Sequence, residues 1–238
     1  MSDSPTSRGI SQGALVLAAA TVVNLPFGTV YAFSVFLKPM EALLGIGRTE
    51  MAIVFSMASI FLTIGMLIGP ALYRRFAPVP LLLVCGALSA SGLLIAATAQ
   101  GIEHLLLGYG VLFGLGGGVV FIMMQQGLNQ TISPMSGLAN GYVVSLYPMG
   151  AMLGAPVFGW AIEVFGLRAT LAGLALTVLT CCAIAAMLWR RAQVRMQDPG
   201  ASTADSEARH WGLFARLFTV FFLAASAGLM VMSQAAGI

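Results

Sequence analysis

The sequence predicts an all-α polytopic membrane protein: a six-helix bundle of two inverted three-helix repeats, followed by a seventh transmembrane helix. Three observations lead there. The 238 residues carry only 11 Lys+Arg and 8 Asp+Glu, 8% charged, where a soluble chain carries about 25%. Hydrophobic residues make up 59%, and so few charges cannot cover a water-facing surface. The apolar residues fall into seven runs, each near the roughly 20 residues that cross about 30 Å of hydrocarbon. Finally, the runs repeat their spacing. The same composition excludes a disordered chain and an outer-membrane barrel, whose strands alternate. The formal charge of +3 does not indicate a nucleic-acid partner, because the cations lie in loops between apolar blocks.

Residues 14–37 form the first expected span. Its run is too long for a cleavable signal peptide, only Arg8 precedes it, and no hydrophilic chain follows. Spans at 51–72, 80–99, 104–124, 138–161 and 168–189 come next, with joints such as Lys38-Pro39 and Ala77-Pro78-Val79-Pro80 between them. The segment 190–211 is hydrophilic and reads as a solvated linker before the last span at 212–234. The chain thus divides into a cytoplasmic tail (1–13), a bundle (14–189), a cytoplasmic linker (190–211) and a seventh helix (212–238). Orientation follows from the distribution of cations. With the N-terminus cytoplasmic, the inside holds Arg8, Arg74, Arg75, Arg190, Arg191, Arg195, Arg209 and Arg216, against Lys38, Arg48 and Arg168 outside. Cys85, Cys181 and Cys182 lie within apolar runs without CxxC spacing and read as small packing residues.

The internal repeat carries the most information. Gly69-Pro70-Ala71-Leu72, running on to Phe76-Ala77, matches Gly159-Trp160-Ala161-Ile162, running on to Phe165-Gly166, at an offset of 90 residues that slips by one in the loop. The first and fourth spans begin about 90 residues apart and the third and sixth about 88. An offset of three helices reverses direction in the membrane, and nested inverted triplets are how secondary transporters build alternating access.

Six spans, a linker and a seventh span resemble the first half of the major facilitator superfamily plus the opening helix of its second half. Gly28-Thr29-Val30-Tyr31-Ala32-Phe33-Ser34-Val35-Phe36 and the glycine-rich Gly110–Gly118 are similar to segments of its oxalate/formate antiporter-like branch. Ser136-Gly137-Leu138-Ala139-Asn140-Gly141 is similar to the monocarboxylate-transporter-like proteins. The resemblance implies a partial major facilitator fold, a small carboxylate or other organic anion as substrate, and a bacterial inner (plasma) membrane setting. It also implies that the cations pairing with carboxylates come from a missing C-terminal half, so that this chain would not transport alone. The match has gaps. The turn Gly69–Pro78 lacks the superfamily's usual Asp, which puts its charge relay in doubt. Residues 125–137 carry no charge, and in the fifth span Ala155 precedes the proline while Trp160 replaces the last glycine.

No Asp, Glu, Lys, Arg or His falls in the middle of an expected span, so a buried-carboxylate cation path is not expected. The candidates for a substrate path are neutral. Thr21, Asn24, Gly28 and Tyr31 recur on one helical face of the first span. An unpaired Asn24 amide near mid-membrane costs several kcal/mol, so it faces either a helix partner or a water-filled cavity. Tyr147 with Asn140 on the fifth span, and Gln125 with Tyr109 flanking the fourth, complete the set. Gly150, Gly154 and Pro156 form a candidate packing seam and pivot, and Arg74 and Arg75 stand at the expected cytoplasmic gate.

Other classes fit less well. The glycines of 108–118 lack the strand–turn–helix setting of a nucleotide loop. A seven-helix receptor or sensor, or a non-transporting membrane partner, is the alternative; the inside N-terminus and the absence of an intramembrane lysine argue against a receptor. No enzyme is expected: there is no HExxH, and His104 and His210 sit at span edges. No metal or cofactor is expected either. The partners expected are the lipid bilayer, a small-molecule substrate and a second half.

Overall fold

The computed structural model describes residues 5–132, 136–194, 196 and 211–234. Seven helical stretches are long and apolar enough to cross a membrane: Gln12–Leu44, Arg48–Arg75, Pro78–Ala97, Ile102–Thr131, Gly137–Phe165, Leu167–Ala192 and Trp211–Gly228. They are called the first to seventh spans below. The described residues contain no strand. Most of the linker lies outside the described residues, including Arg195, Arg209 and His210.

Proline sets the boundary between the second and third spans. Ala77 is extended (φ −63°, ψ 143°) and Pro78 opens the third span, as expected for a residue before proline and a proline in a first helical turn. Lys38-Pro39, by contrast, does not close the first span. The helix runs through Pro39 to Leu44 and stops at Gly45, whose φ of 66° is the left-handed cap that glycine permits. Phe36, Leu37 and Met40 are all buried on either side of this proline, so packing outweighs the one hydrogen bond that proline removes. Beyond the cap, Arg48 pairs with Glu41 across the turn.

Two spans depart from α geometry. Gly28–Ala32 is a 3-10 segment in the first span, and Leu106–Phe113 is π-helical in the fourth. The face linking Thr21, Asn24, Gly28 and Tyr31 is therefore not one continuous α-helical face. The phenylalanines on either side of the 3-10 segment pack on aromatic rings of the π-helical stretch. Phe27 stacks on Phe113 at 5.6 Å, and Tyr109 lies 5.1 Å from both Phe33 and Phe113.

The inverted repeat is present in the backbone. A Cβ added at Gly28 would overlap the Tyr147 carbonyl, and one at Gly150 the Leu25 carbonyl. Likewise, a Cβ at Gly118 would overlap the Leu62 carbonyl, and one at Gly65 the Leu115 carbonyl. A shift of 90 residues carries Leu25 and Gly28 to Leu115 and Gly118, and a shift of 85 carries Leu62 and Gly65 to Tyr147 and Gly150. One crossing, between the first and fifth spans, thus recurs between the fourth and second. The expected 90-residue register for the second and fifth spans needs correction to 85. The turns do repeat at 90, but the fifth span runs about one and a half turns farther from its crossing to its end (Gly150 to Phe165) than the second (Gly65 to Arg75).

Close approach of backbones at glycine is how helices associate where lipid removes the hydrophobic drive between them. The first and fourth spans are the most buried, 56% and 61% of their central windows, against 28% and 22% for the second and fifth. The bundle centre therefore lies along the first and fourth spans. The seventh span approaches the Gly28–Leu44 stretch of the first, and most of its described side chains are exposed.

Candidate substrate path

Four of the six candidate path residues meet in pairs across the first, fourth and fifth spans, and a fifth, Thr21, meets Tyr142 of the fifth span. The Thr21 hydroxyl donates to the Leu17 carbonyl at 2.8 Å. It therefore accepts from the Tyr142 hydroxyl, 2.7 Å away. Farther along, Tyr31 lies edge-on to Tyr147 with ring centroids 6.0 Å apart, and Tyr147 makes a T-shaped contact with Phe121 at 5.0 Å and 87°. The Tyr147 hydroxyl points at the Gly117 carbonyl at a long 3.4 Å. Gln125 donates through Nε2 to Asn140 Oδ1 at 3.2 Å. The fifth span is thus tied to the first by a hydroxyl pair and to the fourth by an amide pair, with tyrosines between.

Asn24 is the exception. Its side chain is 0% exposed, and Nδ2 donates to the Ala20 carbonyl at 2.9 Å. Among the described residues Oδ1 has no partner. A buried acceptor left unpaired costs about 1–3 kcal/mol, so this position is held at a cost.

Two expectations need correction. Tyr109 lies inside the fourth span, in its π-helical stretch, and does not flank it; it is 0% exposed, packed against Phe33 and Phe113, and its hydroxyl has no partner among the described residues. Pro156 does not share the seam with Gly150. It is exposed, and a Cβ at Gly154 would meet Phe158 of its own helix, so Gly150 alone forms the crossing. Arg74 and Arg75 sit exposed in the last turn of the second span.

Tyr142 and Phe121 belong to the cluster, yet sequence reasoning did not single them out. Asn140 and Tyr147 lie seven residues apart and share a face; Tyr142 lies off it. The fifth span wedges between two others, so both of its faces find partners. Double-mutant cycles measure the ties. Thr21→Val with Tyr142→Phe, and Gln125→Leu with Asn140→Leu, are each expected to show coupling of roughly 0.6 kcal/mol, up to about 1.7, in thermal unfolding in detergent. Coupling near zero for both pairs would mean that the contacts do not join the spans.

Chemically, the cluster is neutral: hydroxyls, amides and aromatic faces without a fixed charge. It can hydrogen-bond and enclose a small polar solute. Among the described residues, no group of three or more His, Cys, Asp or Glu could hold a metal.

The sequence profile of the Major Facilitator Superfamily matches residues 17–237. Monocarboxylate transporter 13 of Bos taurus is 28% identical over 220 residues, covering 91% of this chain and 51% of the relative. Monocarboxylate transporter 11 of Mus musculus is 30% identical over 214 residues, 89% of this chain and 47% of the relative. An MFS-type transporter of Escherichia coli, YhjX, described as uncharacterized, is 24% identical over 138 residues, 58% of this chain and 34% of the relative. The chain spans about half the length of the monocarboxylate transporters it matches.

Proposed function

The chain belongs to the major facilitator superfamily, and from that premise we propose that it forms one six-helix bundle of a secondary transporter moving a small carboxylate by alternating access. A second six-helix bundle supplies the opposite wall, because alternating access needs two bundles rocking about a central site. The observation that carries this reading is the polar and aromatic seam of Thr21, Asn24, Tyr31, Gln125, Asn140 and Tyr147, which follows the first, fourth and fifth spans and joins them by side-chain contacts. Polar side chains are retained within a bilayer where they do work. The likeness to monocarboxylate transporters supports the substrate class.

In this reading Asn24 Oδ1 and the tyrosine hydroxyls give orientation, while the aromatic rings exclude water beside the solute. The seam has no cation, so charge neutralisation of a carboxylate falls to the second bundle. Gly28, Gly65, Gly118 and Gly150 hold the crossings rigid. The 3-10 and π-helical stretches, which do not continue the α-helical hydrogen-bond ladder, are where the first and fourth spans bend as access alternates. The N-terminus faces the cytoplasm of a bacterial inner membrane, placing Arg74, Arg75, Arg190 and Arg191 on the cytoplasmic side.

The test is uptake of labelled lactate, pyruvate, formate and oxalate into proteoliposomes. The chain alone is expected to give no saturable uptake, and the chain with a complementary bundle is expected to exchange at least one carboxylate. Saturable uptake by the chain alone would overturn the two-bundle reading. Exchange of neutral solutes but of no carboxylate would overturn the substrate class.

A further inference from the structure

Between the first and fourth spans the seam continues as a chain of aromatic contacts. Tyr147 points its hydroxyl at the Gly117 carbonyl, and a Cβ added at Gly117 would meet the Phe27 ring. Phe27 stacks on Phe113, Phe113 lies 5.1 Å from Tyr109, and Tyr109 lies 5.1 Å from Phe33. The chain runs away from Thr21 and Gln125, which sit toward the opposite ends of their spans. Tyr109 thus stands at the far end of a run of contacts that begins at the path.

Nothing in this packing calls for a tyrosine. Tyr109 is 0% exposed and its hydroxyl has no partner among the described residues, whereas a buried hydroxyl is ordinarily paired. Phenylalanine would keep the ring contacts without leaving a polar group unused. The backbone on either side of Tyr109 is clamped: a Cβ at Gly108 would overlap the Gly92 carbonyl of the third span, and one at Gly114 the Ala58 carbonyl of the second. Its cover is held differently. Phe33 follows directly on the 3-10 segment Gly28–Ala32, and Ala32 has φ −90° and ψ 11°, in the sparsely allowed bridge region. A change of helical pitch in that segment turns Phe33 about the helix axis and uncovers Tyr109, whose own backbone stays in place.

We propose that Phe27, Phe33 and Phe113 close the path at this end, and that the Tyr109 hydroxyl donates a hydrogen bond to the carboxylate of the solute when Phe33 turns away. The inference rests on the carboxylate-transport reading and adds a binding residue to it. An ionised carboxylate only accepts hydrogen bonds. Asn24 Oδ1, the other buried group of the first and fourth spans without a partner among the described residues next to this chain, only accepts as well, so it suits a hydroxyl on the solute and not the carboxylate itself. Tyr109 supplies the missing donor. An O–H meeting a carboxylate oxygen forms a charge-assisted bond, which is shorter and stronger than a neutral one. The same hydroxyl is shut away behind Phe33 when no solute is bound, which keeps it from pairing with water.

Tyr109→Phe, which keeps the ring and removes the hydroxyl, tests it in the completed transporter. Without solute, the melting temperature is expected to be unchanged or higher, because the hydroxyl pairs with nothing in the closed arrangement. In counterflow, the KM for lactate or formate is expected to rise about tenfold, the worth of one hydrogen bond to a charged group, with a smaller change in maximal rate. With Cys85, Cys181 and Cys182 replaced by alanine, Tyr109→Cys is expected to resist a small charged thiol reagent and to be alkylated faster once Phe33→Ala is added. An unchanged KM in Tyr109→Phe, while the unsubstituted protein exchanges carboxylate, overturns the proposal and leaves the transport reading standing. Absence of carboxylate exchange in the unsubstituted protein overturns both. A lowered melting temperature in Tyr109→Phe would give the hydroxyl a structural partner, and equal alkylation with and without Phe33→Ala would mean that Phe33 is not the cover; either result overturns the proposal. If Phe33→Ala does not fold, Tyr109→Phe decides alone.

Discussion

Replacing Asn24 by leucine is expected to raise the melting temperature of the bundle and to abolish its contribution to carboxylate exchange. Asn24 is 0% exposed and its Oδ1 has no partner among the described residues. Leucine fills a similar volume and removes an acceptor whose burial costs about 1–3 kcal/mol. A gain near 1 kcal/mol corresponds to roughly 2–4 °C for a chain of this size. Exchange in the completed transporter is expected to fall at least about tenfold, because in the proposed path Oδ1 is the acceptor kept for the solute. Function and stability would then move in opposite directions, as when a strained site is kept for its activity. Thermal unfolding in detergent beside counterflow in proteoliposomes checks both halves. A destabilised variant that still exchanges carboxylate would make Asn24 a structural residue.

The second large effect is at the crossings. Gly28→Ala and Gly118→Ala each place a Cβ on a backbone carbonyl of the neighbouring span, that of Tyr147 or Leu62. Backbone cannot swing aside as a side chain can, so each substitution is expected to cost about 3 kcal/mol or more. Most of the protein should then be lost from the monodisperse peak in size-exclusion chromatography. Gly141→Ala and Gly159→Ala make the same chemical change where nothing lies within 4 Å. They are expected to be neutral or to stabilise by up to about 1 kcal/mol, since alanine favours helix. Equal behaviour of all four variants would remove the close crossings from the account.

The seven spans were legible because their signal is coarse: a bilayer demands long apolar helices, and charge marks the gaps. The inverted repeat was legible as spacing, and the third and sixth spans keep their 88-residue offset: Leu81 and Cys85 line one cavity of the bundle, and Ala169 and Gly173 line another. Its register on the second and fifth spans was not legible. Gly69 and Gly159 look equivalent in sequence, but the close crossings use Gly65 and Gly150, and only packing distinguishes one glycine from another on the same helix. The 3-10 and π-helical stretches were invisible for a related reason, because apolar runs carry no period that would betray a change of helical pitch. Of the path residues, Thr21, Tyr31, Gln125, Asn140 and Tyr147 announced themselves as polar groups in an apolar setting. Tyr109 announced itself in the same way and is enclosed by Phe33 and Phe113. Polarity identifies a candidate, while its direction is set by the helix it faces.

The central claim is that the first, fourth and fifth spans line a carboxylate path, and alkylation of single cysteines tests it most directly. In a background with Cys85, Cys181 and Cys182 replaced by alanine, Thr21→Cys, Tyr31→Cys and Asn140→Cys would be exposed to a small charged thiol reagent in native membranes. Reaction is expected at all three, slowed by millimolar monocarboxylate and unaffected by a neutral sugar. Leu67→Cys, on the exposed outer side of the second span, is expected to resist the charged reagent because it faces lipid. If the three path cysteines proved as unreactive as Leu67→Cys, or reacted at one rate with and without carboxylate, the seam would be packing and the path would lie elsewhere.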